Sequence, residues 1–119
     1  MGKMIELVSG DGFKFGAYVA EPAGKPRGAL LVIQEIFGVN QHIKAVTDGY
    51  AADGYLAIAP ALFDRGHKGF EVGYTQADIE AGRATVQKLE WKNTMADVAV
   101  TIAHVKHAGK VGITGYCWG

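Results

Sequence analysis

Apolar and polar positions change their period several times along the chain. Residues 4–8 and 13–20 read as two short strands. In the second, Phe13, Phe15, Ala17 and Val19 fall on one face at period two. Between them lies Ser9-Gly10-Asp11-Gly12, whose Asp-Gly pair is a hairpin signal. An N-terminal β-hairpin is therefore expected. Pro22, Gly24, Pro26 and Gly28 mark a loop. Residues 29–34 are an uninterrupted apolar run with a polar end, the pattern of a strand buried on both faces. After a loop over 35–40, Asn40 can cap a helix that starts at Gln41. Ile43, Val46, Tyr50 and Ala51 share its inner face, and Gly54 stops it. Residues 55–59 read as a second buried strand, halted at Pro60. Residues 62–73 are polar and glycine-bearing, and read as an excursion over the end of the sheet. A helix over 76–89 should turn Ile79, Val86 and Leu89 inward. Another over 93–107 should bury Met95, Ala99, Ile102 and Ala103, with Gly109 after it. Residues 110–115 form a third buried strand.

Strands alternating with helices imply an open, mostly parallel α/β sheet with right-handed crossovers. The 119 residues fit a single domain, and 49% hydrophobic residues suffice for a core. Twelve basic and twelve acidic residues cancel. No basic stripe points to nucleic acid, and no apolar run is long enough to span a membrane. The start of the chain lacks a long apolar leader, and one cysteine makes no internal disulfide, so a cytoplasmic protein is expected. Only Gly38 occupies the loop after the first buried strand. A flavodoxin-like nucleotide site is thus poorly supported, and no cofactor or metal is assigned.

Two short segments carry candidate chemistry. Gly115-Tyr116-Cys117-Trp118-Gly119 directly follows a buried strand. Gly-x-Cys-x-Gly in that place has the spacing of a nucleophile elbow, where small residues two before and two after the nucleophile let the chain turn sharply. Alone the motif is weak, because a lone cysteine after a strand is more often a small buried apolar residue. The second segment, Gln34-Glu35-Ile36-Phe37-Gly38, ends the first buried strand. An α/β-hydrolase draws one oxyanion-hole amide from this loop and one from the residue after the nucleophile. Those amides belong to Ile36 and Trp118. By itself, Glu35 reads as a solvated loop carboxylate, the usual fate of Glu, while its position after an apolar run points to burial.

Gln-Glu-Ile-Phe-Gly-Val-Asn, the Asp-Gly-Tyr helix end, the Ala-Pro-Ala-Leu strand exit and Gly-Lys-Val-Gly-Ile-Thr-Gly-Tyr-Cys-Trp-Gly together resemble the dienelactone hydrolase family, from about residue 4 to 119. The resemblance implies an α/β-hydrolase fold and an ester- or lactone-cleaving activity on a small molecule. It implies that Cys117 attacks an enol-lactone carbonyl to give an acyl-enzyme. Glu35 would contact the resting thiol and help to deprotonate it. The family also holds a substrate carboxylate with an arginine from the helical excursion, near Ile79 here. Arg83, one turn later, is either a displaced counterpart or a solvated surface arginine.

The family's fold places the triad acid and histidine after the nucleophile. The sequence ends two residues beyond Cys117, and His42, His67, His104 and His107 all precede it. Residues 1–119 are therefore expected to be the N-terminal portion of one hydrolase domain, inactive alone. Such a portion would self-associate or bind a complementing C-terminal segment. The alternative is a non-catalytic assembly module that retains half of the fold.

Overall fold

The computed structural model describes residues 2–119. The hairpin forms as expected from β1 (Lys3–Val8) and β2 (Lys14–Ala20), with Val8 opposite Lys14. Its turn closes through Gly12 N–H to Ser9 O at 2.9 Å and Ser9 N–H to Phe13 O at 2.8 Å. Gly12 has φ +88°, a conformation that glycine adopts without a side-chain penalty.

Three parallel strands follow: β3 (Ala29–Ile33), β4 (Leu56–Pro60) and β5 (Val111–Gly115). The sheet order is β1-β2-β4-β3-β5, so β3 separates the other two parallel strands. β2 joins antiparallel to β4. Every residue of β4 is buried, and in β3 all but Leu30 are. β5 is not the buried strand expected: Gly112, Ile113 and Gly115 are exposed and Val111 and Thr114 half-buried, because β5 pairs on one side only, with β3. Leu31, Ile33 and Ile58 face one apolar layer, while Val32 and Ala59 face the other. Both faces are covered, which is why these strands read as continuous apolar runs. Burial of each large aliphatic side chain stabilises the fold by about 1.5–3 kcal/mol.

Helix α1 (Gln41–Ala52) covers the Val32 side. Asn40 caps it in extended conformation, its side chain accepting from Ile43 N–H at 3.1 Å. Ile43 and Ala51 are buried as expected, and Val46 and Tyr50 are half-buried. Thr47 joins the same face, its hydroxyl donating to Ile43 O at 2.7 Å.

Helix α3 (Trp91–Val105) covers the opposite side, but it is rotated from the expected orientation. Thr94, Asp97, Val98, Thr101 and Val105 are buried, whereas Met95, Ala99 and Ala103 are exposed and Ile102 is half-buried. Burial of the polar face is possible because Arg65 neutralises Asp97 and Thr101 donates to Asp97 O at 2.8 Å. Helix α2 (Gln76–Val86) is shorter than expected and begins with a Thr75–Asp78 capping box. It buries Gly82 and Thr85, leaving Ile79, Val86 and Leu89 half-buried. Close helix approach at Gly82 sets this face.

The excursion over 62–73 is less polar than its composition suggested. Leu62, Phe63, Asp64 and Phe70 are buried. Asp64 accepts from Gly16 N–H at 2.7 Å and Gly69 N–H at 2.8 Å, which satisfies its buried carboxylate. No helix among the described residues is long and apolar enough to cross a membrane.

Candidate active site

Ile33 and Gly115 are register partners at the ends of neighbouring parallel strands. The loops that leave them, carrying Glu35 and Cys117, therefore emerge side by side at the C-terminal edge of the sheet, where open α/β sheets place their ligands. Cys117 has φ +57°, and among the described residues it alone combines a positive φ with a side chain. That backbone costs a non-glycine residue roughly 1–3 kcal/mol. The turn projects the thiol outward, and Cys117 is exposed, not the small buried apolar residue that a lone cysteine after a strand more often is.

Both flanking glycines have steric reasons. A Cβ at Gly115 would collide with Gly119 O, and one at Gly119 would lie 2.6 Å from Ile33 O. Tyr116 and Trp118 anchor the turn on opposite sides of the sheet. Tyr116 packs with the α1 layer, and its hydroxyl lies 2.7 Å from that of Tyr50. This hydrogen bond foremost, and then burial, raises the Tyr116 phenol above its ordinary pKa. Trp118 packs with the α3 layer, edge-on to Phe63 at 5.0 Å and parallel to Trp91 at 6.4 Å.

The Glu35 loop is fixed from beneath. Gln34 is fully buried; its Nε2 donates to Glu35 O at 3.0 Å and its Oε1 accepts from Leu62 N–H at 3.0 Å. Val72 N–H donates to Phe37 O at 3.0 Å. Gly38, at φ +86°, lies so close to Phe70 O that a Cβ there would collide with it. Gly82 of α2 meets Ile36 equally closely; a Cβ would be 2.7 Å from Ile36 Cγ1. These contacts, between loop and excursion or helix, were invisible to a reading of local sequence.

The backbone N–H groups of Ile36 and Trp118 donate to no described residue. Two amides without internal acceptors thus sit in the two loops that flank the thiol. Glu35 Oε1 is buried and accepts no hydrogen bond from a described residue, the Cys117 thiol included. The resting contact between this carboxylate and the thiol is therefore not among the hydrogen bonds of the structure. Arg83 is exposed on α2 and forms no ion pair among the described residues, although Gly82 beside it touches the Glu35 loop. His42, His67, His104 and His107 are exposed, and none is hydrogen-bonded to Cys117. An apolar groove of about 180 Å³ adjoins the elbow, lined by Ile33, Leu62, Trp91, Met95, Ile113 and Trp118 among others. Among the described residues, no group of three His, Cys, Asp or Glu is arranged to hold a metal ion.

Comparison with known proteins agrees with this geometry. The profile of the Dienelactone hydrolase family matches residues 15–119. A protein of Synechocystis sp. named "Putative carboxymethylenebutenolidase" is 39% identical over 97% of this chain and 49% of its own length. The "Carboxymethylenebutenolidase" of Pseudomonas putida is 32% identical, over 97% of this chain and 51% of its own. A crystal structure described as a "Putative Dienelactone Hydrolase" from Klebsiella pneumoniae superposes with a TM-score of 0.78 at 31% identity, covering all of this chain and 51% of that one. The chain thus spans about half the length of the curated relatives it matches. With the elbow, the facing loop and the strand order all in place, the chain belongs to the dienelactone hydrolase family.

Proposed function

We propose that residues 1–119 supply the nucleophilic half of a carboxylic ester or lactone hydrolase, with Cys117 as nucleophile. The observation that carries this reading is the left-handed backbone of Cys117, which keeps an exposed thiol at the end of the parallel strand β5. A structural cysteine has no need of that strain.

In this reading Glu35, on the loop beside the Cys117 turn, receives the thiol proton when substrate binds; its buried Oε1, without a hydrogen-bond partner among the described residues, supports that role. The thiolate then attacks the acyl carbon; a C–S bond forms and the carbonyl electron pair moves to oxygen. The Ile36 and Trp118 amides donate to that oxyanion. Its collapse breaks the acyl C–O bond, and the departing oxygen takes up a proton. Arg83 is the candidate contact for a substrate carboxylate. Release of the acyl group needs a base to activate water, and no histidine of residues 1–119 adjoins the thiol. These residues by themselves therefore stop at the acyl-enzyme. The free thiol suits a cytoplasmic setting.

The exposed flank of β5, with Ile113 54% exposed, and the adjoining apolar groove also favour self-association or pairing with a complementing segment. A chromogenic aryl acetate tests the chemistry. About one equivalent of phenolate should be released per chain, with no sustained turnover and no burst in Cys117→Ala. A burst that survives Cys117→Ala contradicts the assignment.

A further inference from the structure

We infer that Gln34 is a positioning residue that aims the oxyanion-hole amide of Ile36; this rests on the nucleophile reading above. Glu35 C=O and Ile36 N–H belong to one peptide unit. No peptide bond among the described residues is cis, so the two groups of this planar unit point in opposite directions. Whatever fixes the carbonyl fixes the amide. Glu35 O accepts from Gln34 Nε2 at 3.0 Å and from Gly38 N–H at 3.2 Å. Both donors draw the carbonyl into the protein, and the Ile36 N–H turns away from them, making no internal hydrogen bond.

The glutamine is itself rigidly placed. It is fully buried, and Leu62 N–H donates to its Oε1 at 3.0 Å. That contact also settles the side-chain amide orientation, because the oxygen must face the donor and the nitrogen the carbonyl. Gly38 supplies the second donor as part of the turn itself, so Gln34 is the side chain that can be changed without altering the loop's backbone. Two hydrogen bonds on one carbonyl also polarise the shared peptide and strengthen its N–H as a donor. A full-length apolar side chain at position 34 would fill the same space and leave the peptide held by the longer Gly38 hydrogen bond alone.

Two reactions at Cys117 separate aim from fold. Acylation by 4-nitrophenyl acetate passes through an oxyanion; alkylation by iodoacetamide does not. Both consume the thiolate, so their rate ratio cancels changes in thiol ionisation. Gln34→Met should lower the ratio about tenfold or more, below the full loss of roughly 10²–10³ for deleting an oxyanion donor. Gln34→Glu keeps the acceptor for Leu62 and donates only when protonated. Its ratio should approach that of the unsubstituted chain at acid pH and fall as the carboxyl ionises. A Gln34→Met ratio equal to that of the unsubstituted chain overturns the inference, as does a proportional fall in both reactions. If Gln34→Met does not fold, a flat pH profile of the Gln34→Glu ratio overturns it instead. An unsubstituted chain that is alkylated but never acylated removes the nucleophile reading and this inference together.

Discussion

Arg65 and Asp97 are joined by two parallel hydrogen bonds, Nε to Oδ2 at 2.8 Å and Nη2 to Oδ1 at 2.9 Å. The Asp97 side chain is 1% exposed and that of Arg65 12% exposed. The same guanidinium reaches Asp11 through two further hydrogen bonds and lies 4.4 Å from the Phe13 ring centre. One side chain from the excursion thus ties the hairpin turn to α3. Arg65→Met should destabilise the chain by about 3–5 kcal/mol in urea unfolding, because it strands a buried carboxylate. Arg65→Met combined with Asp97→Leu should recover much of that loss.

Arg65 chiefly, with the Phe13 amide, holds the Asp11 carboxyl down from 3.8 to about 2. A carboxyl whose pKa is lowered by folding stabilises the folded state above its unfolded value. That contribution is complete above 3.8 and is lost as the pH falls through about 2. Thermal unfolding of the unsubstituted chain and of Asp11→Asn should therefore differ by a constant amount at neutral pH, and the gap should close on acidification across this window.

Tyr50→Phe removes the hydroxyl that Tyr116, the residue before Cys117, meets at 2.7 Å. A loss of about 1 kcal/mol is expected from the hydrogen bond. The raised Tyr116 phenol should return toward its ordinary value of 10.0, read by ultraviolet titration of the phenolate. A group whose pKa folding raises contributes fully below its unfolded value and loses that contribution as pH rises. The stability gap between Tyr50→Phe and the unsubstituted chain should accordingly shrink in alkali.

The strain at Cys117 has a measurable sign. At most strand or helix positions glycine is less stable than alanine by about 0.5–1 kcal/mol. At φ +57° the order should invert. Cys117→Gly should unfold at higher denaturant than Cys117→Ala, by an amount equivalent to about 1 kcal/mol. The usual order would remove the argument from strain.

Much of the architecture was legible because it depends on local pattern. The apolar runs marked β3, β4 and β5, Asp11-Gly12 marked the hairpin, and Asn40 marked the start of α1. Gly115, Cys117 and Gly119 marked the elbow, whose spacing has a steric cause. What failed depended on partners distant in sequence. The buried face of α3 is polar at Thr94, Asp97 and Thr101, and the partner that pairs the Asp97 carboxylate, Arg65, lies across the fold. Nothing in the local pattern of 76–89 singles out Gly82, yet it is where α2 meets Ile36. Gln34 passed as the polar end of a strand because its two partners belong to other loops. The polar appearance of 62–73 hid Phe63 and Phe70, which pack against each other with ring centres 5.7 Å apart.

Intact-mass analysis after brief exposure to an aryl acetate, followed by peptide mapping, tests the nucleophile assignment most directly. One acetyl group should appear per chain, on the peptide containing Cys117. It should persist after excess ester is removed, because no histidine of this chain is hydrogen-bonded to the thiol. An acetyl group found on another residue, or a Cys117 that alkylates readily yet never carries an acyl group, would contradict it.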